Sequence, residues 1–312
     1  MEKIAVIGAG RIGRAWAIVF ARAGHPVALY DSTPGVVEGS LDPILQGLRD
    51  LRRHDLLAES PDVVAGRVRA AATLEDAVRD ADHVQENAPE VLELKARIFR
   101  QLDEAAPGHC ILASSSSALK ASQFSDGLRG RGRCLVAHPV NPPHVVPLVE
   151  ISPAPWTRPE VVARTRSLLE RAGQAPILIR KEVEGFVLNR LQASLLREAW
   201  RLVEEGYVSV EDLDRCMKDG LGMRWAFMGP FETIDLNAPD GVADYARRYG
   251  AAFHALFQDV TYRPWDDALV SRVEGERRAL LSRDRRPERE AWRDRRLMAL
   301  LAHRRECERK ER

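Results

Sequence analysis

Residues 4–16 read IAVIGAGRIGRAW. Four apolar residues, Ile4 to Ile7, run straight into glycines at 8, 10 and 13 and then into a helical pattern. That order describes a buried strand turning sharply into a helix. Gly8 permits the tight turn, Gly10 lets the main chain approach a diphosphate, and Gly13 lets helix and strand pack closely. The diphosphate would rest on the helix N-terminus, where free N–H groups and the dipole favour anions. The next strand candidate, PVALYD, ends in Asp31, 18 residues after Gly13. An acid at about that distance bonds the adenosine ribose hydroxyls and repels a 2′-phosphate, which points to NAD rather than NADP. The alternative is a glycine-rich turn with no ligand, and the strand, the spacing and the acid together argue against it.

Outward from this loop, KIAVIG, PVALYD, HVQEN, CILASS, CLVAHP, PLVEIS and PILIR alternate with helical patterns up to Arg180. The alternation predicts an α/β fold, a Rossmann-type doubly wound sheet that is mostly parallel with helices on both faces. Residues 34–66 carry helical periodicity and read as a helical hairpin inserted after the second strand. After Arg180 the strand signals stop. GFVLNRLQASLLREAWRLVEEG reads as a long amphipathic helix ending at Gly206. The division expected is therefore an NAD-binding domain over 1–184 and an all-helical substrate and dimerisation domain over 185–312. The stretch from Arg272 to Arg312 is dense in Arg and Glu. It reads as a solvated helix pair, interrupted near Pro287, whose apolar stripe packs or pairs subunits.

With 47 basic against 46 acidic residues, interspersed, no basic field exists to hold a phosphate backbone. Nucleic acid is not an expected partner. Cys110, Cys134, Cys216 and Cys307 are scattered and form no metal-ligand spacing. They read as reduced thiols in a cytoplasmic protein with no metal. No apolar run approaches a membrane span, and no signal-peptide pattern precedes KIAVIG.

The segment VAHPVNPPHVVPLVE, Val136 to Glu150, places His138 at a strand end and Glu150 inside the next apolar run. Strand C-termini in open α/β sheets are where ligands bind. A buried carboxylate is costly unless paired, and His138 is its economical partner. Such a pair fixes the imidazole tautomer and leaves the other nitrogen as a general base. A lone histidine would more often be a satisfied core residue.

The motifs GAGRIG, ENAPEVLELK, SSSSAL, AHPVNPP, PLVEI, GFVLNR and GLGMRWAFMGPFET occur here in order. In them the chain, from Lys3 to about Tyr249, resembles the 3-hydroxyacyl-CoA dehydrogenase family, and within it a branch that includes a lens crystallin. The resemblance implies an NAD-dependent oxidoreductase acting on the 3-hydroxyl of an L-3-hydroxy acid. It implies catalytic roles for Ser117, His138, Glu150 and Asn189. It places cofactor contacts at Arg11, Ile12, Asp31, Glu90 and Lys95, with Ser115 and Asn141 near the nicotinamide. A homodimer is expected by the same analogy. Taken singly, the serine run would be a polar strand end and Asn189 a helix residue bonding locally.

Relative to acyl-CoA members of the family, Arg224 and Trp225 are inserted ahead of MGPFE. A guanidinium clamps a carboxylate by two parallel hydrogen bonds, which suits L-gulonate or another small hydroxy acid. The alternatives are an Arg-Trp pair that only packs, a 3-hydroxyacyl-CoA substrate, or carnitine, whose cation would want an aromatic wall such as Trp225. Arg49, Arg52, Arg53 and Arg67 would bind CoA phosphates or form a solvated face. A non-enzymatic alternative is a crystallin-like structural protein that binds NAD; retention of the whole catalytic set argues against it.

Overall fold

The computed structural model describes residues 1–256 and 264–311. It divides into two compact units, Met1–Arg190 with Ala291–Arg312, and Leu191–Glu290.

Eight strands among the described residues form one sheet in the first unit. They are β1 (Ile4–Ile7), β2 (Val27–Tyr30), β3 (Val68–Ala70), β4 (His83–Glu86), β5 (Ile111–Ser114), β6 (Cys134–Pro139), β7 (Leu148–Pro153) and β8 (Ala175–Leu178). Their order is β3-β2-β1-β4-β5-β6-β7-β8. All neighbours are parallel except β6 and β7, which run antiparallel. β1 is buried along its whole length, as expected for a parallel strand covered on both faces. Its alternation divides it between two cores: Ile4 and Val6 face one cluster, Ala5 and Ile7 the other. The chain reverses direction across the sheet between β1 and β4, which creates the switch-point crevice where such sheets take ligands.

The helices of this unit are α1 (Arg11–Arg22), α2 (Glu38–Arg53), α3 (Pro61–Ala65), α4 (Leu74–Val78), α5 (Leu92–Ala105), α6 (Ala121–Ser125), α7 (Pro159–Arg171) and the start of α8 (Phe186–Glu204). The pair α2 and α3 occupies the predicted hairpin. It is the crossover from β2 to β3, a strand that the sequence reading did not include. α8 ends before Gly206, which takes the left-handed conformation with φ +78°.

The second unit holds the rest of α8, then α9 (Val210–Arg215), a π-helical turn over Cys216–Leu221, α10 (Gly222–Trp225), α11 (Pro230–Leu236), α12 (Gly241–Ala255) and α13 (Asp267–Leu280). α14 (Arg286–Glu311) begins where Pro287 occupies its first turn, a position that needs no N–H. The grouping of the tail differs from the division expected from the sequence. Ala291–Arg312 belongs with the first unit, because Met298, Leu297, Leu301 and Ala302 pack on the core formed by α1, α2 and α7. Part of the apolar stripe among the charges is thus spent on packing, while Leu280 and Leu300 stay exposed.

Candidate active site

The glycine loop has the geometry that a dinucleotide needs. Gly8 has φ +93°, with the Asn87 carbonyl 3.0 Å from where a Cβ would stand. A Cβ on Gly13 would lie 1.8 Å from the Gly8 carbonyl oxygen, so no side chain fits there. Nothing lies within 4 Å of the corresponding position on Gly10. That glycine faces open space, as the approach of a diphosphate requires. α1 starts at Arg11 with no side chain capping its first amides. Asp31 follows β2 and accepts from Ala9 N at 2.8 Å and Thr33 N at 2.9 Å. It therefore braces the loop and still has lone pairs for ribose hydroxyls. Arg11 is exposed at the helix start, and Ile12 packs against the core.

His138 and Glu150 are directly opposed in the antiparallel register of β6 and β7. Opposed residues share a face, so the imidazole and the carboxylate meet without distortion. His138 Nδ1 lies 2.8 Å from Glu150 Oε2, and both side chains are buried. Because the carboxylate can only accept, Nδ1 carries the hydrogen, and Nε2 makes no hydrogen bond among the described residues. Glu150 Oε1 accepts from Val187 N and Leu188 N, each at 2.9 Å, at the start of α8. Burial pushes this carboxyl upward, but the imidazole and the two amides outweigh it and hold it below the ordinary carboxylate range. One buried acid thus orients the histidine and caps the helix that carries Asn189.

Ser117 sits exposed on the loop after β5, its hydroxyl unpartnered among the described residues. Asn189 Nδ2 donates to the Ser117 carbonyl at 2.8 Å, bringing these two sequence candidates together. The loop is held from below by Glu90. Its Oε1 accepts from the Ser116 hydroxyl, from Ala118 N at 2.9 Å and from Leu119 N at 3.0 Å. Burial works against the ionised form of Glu90, yet these donors and Lys95 keep it below the ordinary range.

Two expected cofactor contacts are corrected. Lys95 is fully buried, and its ammonium donates to both Glu86 oxygens and to the Ala88 carbonyl, each at 3.1 Å. Its three N–H groups are consumed, so it neutralises Glu86 and steadies Glu90 at 3.8 Å and is not open to a ligand. The Ser115 hydroxyl accepts from Trp16 Nε1 at 2.9 Å and Gln85 Nε2 at 2.7 Å, and donates to Asn87 Oδ1 at 2.7 Å. It is saturated, and it ties α1 to β4 and β5. Asn141 is exposed with no side-chain hydrogen bond among the described residues. Glu86 was missed by the sequence reading. It ends β4, whose sequence HVQE is mostly polar although all four residues are buried, so no acid-in-an-apolar-run signal marked it.

Arg224 lies in the second unit on α10, exposed, its guanidinium unpartnered among the described residues. Of the arginines around α2, Arg49 is exposed, and the other three are occupied within the first unit. Arg52 donates to the Leu57 and Ala58 carbonyls, Arg53 pairs with Asp50, and Arg67 pairs with Glu59 and the Ala21 carbonyl. This favours the solvated face over a CoA-phosphate site. Among the described residues no cluster of His, Cys, Asp or Glu is suited to hold a metal, and no helix is long and apolar enough to cross a membrane.

Comparison with known proteins agrees with this geometry. The family model described as 3-hydroxyacyl-CoA dehydrogenase, NAD binding domain, matches residues 3–183, and the C-terminal domain model of the same family matches residues 185–279. A lambda-crystallin homolog of Bos taurus is 44% identical over 95% of this chain and 94% of its own length. An L-carnitine dehydrogenase of Oceanobacillus iheyensis is 34% identical over 88% of each chain. The crystal structure of 5-formyl-3-hydroxy-2-methylpyridine 4-carboxylic acid 5-dehydrogenase, an NAD+-dependent dismutase, aligns with TM-score 0.82 and 29% identity over 96% of this chain and 97% of that one. A glycine loop shaped for NAD, an imidazole backed by a carboxylate and a match along most of the chain lead to one conclusion: this protein belongs to the 3-hydroxyacyl-CoA dehydrogenase family and is an NAD-dependent oxidoreductase acting on CH–OH.

Proposed function

We propose that the enzyme oxidises the 3-hydroxyl of a small L-3-hydroxy acid, with L-gulonate the best candidate, to the 3-keto acid. The observation that carries this reading is the His138–Glu150 pair at 2.8 Å with Nε2 left open. Nε2 removes the hydroxyl proton, while the Nδ1–H bond to Glu150 holds the ring in one orientation and stabilises the imidazolium that forms. Ser117, through its free hydroxyl, and Asn189, through its second amide N–H, hold the substrate oxygen. Bound NAD supplies the hydride acceptor. Gly8, Gly10, Gly13, Arg11, Ile12, Asp31 and Glu90 are the residues that would hold it, with Asn141 near the nicotinamide.

The choice of a free acid rests on Arg224, an exposed guanidinium with no competing carboxylate among the described residues. A second reading, carnitine, is supported by Trp225, exposed beside Arg224, since carnitine joins a carboxylate to a quaternary cation. NADH formation measured against L-gulonate, L-carnitine and 3-hydroxybutyryl-CoA separates the readings. Arg224→Met is expected to raise KM for the hydroxy acid by about ten- to a hundredfold, the worth of a bidentate charge-assisted pair. An unchanged KM, or turnover of the thioester alone, would return the substrate to the acyl-CoA class. We further propose a cytoplasmic homodimer, supported by four free thiols and by the exposed apolar residues of the second unit.

A further inference from the structure

Two non-glycine residues among the described ones have positive φ: Asp55 at +58° and Phe186 at +52°. A short polar residue such as aspartate visits the left-handed region readily, whereas a bulky aromatic does so only when its surroundings impose it. Phe186 is fully buried at the first position of α8, directly after Gly185, which also has positive φ. Its phenyl ring packs on the His138 imidazole, centroids 5.4 Å apart and planes inclined by 39°. The turn it makes also aims the next two amides, Val187 N and Leu188 N, at Glu150 Oε1.

A glycine at 186 would make this turn without strain, so the turn alone does not call for phenylalanine. The ring does. We propose that Phe186 is a positioning residue: its ring holds the His138 imidazole in the orientation that faces Glu150, so that the carboxylate can fix the tautomer, and its left-handed backbone delivers two amides to the same carboxylate. Observed backbone strain beside a reacting group is a sign of built-in preorganisation. The catalytic consequence rests on the reading of His138 as the base; the effect on tautomer does not.

The test uses full-length protein labelled with 15N-histidine at pH 8, where long-range 1H–15N spectra report the tautomer and His138→Gln assigns the signal. Wild type should show His138 as the Nδ1–H tautomer alone. Phe186→Ala and Phe186→Gly should show ring nitrogens averaged between tautomers, and Phe186→Leu, which restores apolar bulk, should return most of the wild-type signal. Phe186→Gly should melt no lower than Phe186→Ala, because it relieves the turn. In NADH formation, Phe186→Ala should lower kcat about ten- to a hundredfold, with NAD Kd and substrate KM within about twofold. A His138 spectrum in both Ala and Gly variants identical to wild type would overturn the inference. Full turnover in His138→Gln would instead overturn the base assignment while leaving the tautomer result standing.

Discussion

Phe20, Phe99 and Phe124 of the first unit are buried to within 2% of completely, whereas Phe231 and Tyr207 of the second are 75% and 71% exposed. Polar groups follow the same division. In the first unit Glu86, Lys95, His138 and Glu150 are buried, and each has partners within hydrogen-bonding distance. In the second, most charged pairs are surface pairs at helical spacing, such as Arg215 with Glu211. The contrast locates the chemistry. Low-dielectric surroundings that make an imidazole-carboxylate pair effective exist only where the chain has already excluded water and satisfied its buried charges. The second unit has a surface whose apolar area is unspent, which suits recognition rather than proton transfer.

Replacement of His138 tests the first half of that contrast and should give the largest effect. His138→Gln removes the base while an amide still reaches Glu150, and kcat should fall about 10²- to 10⁴-fold. NAD affinity should stay within about twofold, since the glycine loop and Asp31 do not touch the imidazole. Turnover by initial rates and NAD binding by calorimetry check both halves. Comparable loss of NAD affinity would mean that the two parts of the first unit are not separable.

A smaller effect comes from histidines that the mechanism does not use. His83 is fully buried on β4, with Nε2 3.2 Å from Gln85 Oε1 and Nδ1 without a partner among the described residues. Burial above all lowers its pKa from 6.5 to about 4. Burial, aided by Arg22, does the same to His144. Between pH 6.5 and 4 the unfolded chain binds protons that the folded chain refuses, so the stability present above 6.5 is lost as pH falls through that window. For a fully buried group the loss is on the order of 3 kcal/mol. Urea midpoints at pH 7.5, 6 and 5 should therefore decline in wild type and decline less in His83→Gln. An equal slope in His83→Gln would place the acid sensitivity elsewhere.

Much of the site could be read from the chain because its signals are local and costly. Three glycines at fixed spacing, an acid at the end of the next strand, a histidine at a strand end and a glutamate in an apolar run each break a local rule unless a function or a partner repays it. What escaped depends on contacts distant in sequence. β3 is three residues long with only Val68 buried, too short and too polar to signal a strand. Lys95 was expected at the cofactor through the family resemblance alone, which says nothing of Glu86, nine positions back on β4, which holds its ammonium. Ser115 looked like a nicotinamide neighbour until Trp16 of α1 took its lone pair. The tail's charges hid Met298, whose destination in the first unit is a tertiary fact. Glu86 escaped for the same reason: it stands in HVQE, a polar stretch whose complete burial is a tertiary fact.

The smallest effect on stability, and the sharpest test of the second half of the contrast, lies on α8. Leu191 and Leu195 are 64% and 38% exposed, four residues apart and so on one helix face. If that face meets water in the working protein, Leu191→Lys with Leu195→Lys should change unfolding free energy by no more than about 0.5 kcal/mol, as for ordinary surface positions. If two copies cover it, as proposed, the same pair leaves the fold intact but buries two ammonium groups against an apolar partner, a cost that dissociates the assembly. Sedimentation velocity should then show wild type as a dimer and the double variant as a monomer with an unchanged circular dichroism spectrum. A wild type that sediments as a monomer would leave the apolar surface of the second unit to some other use, and the two units would then differ in packing without differing in purpose.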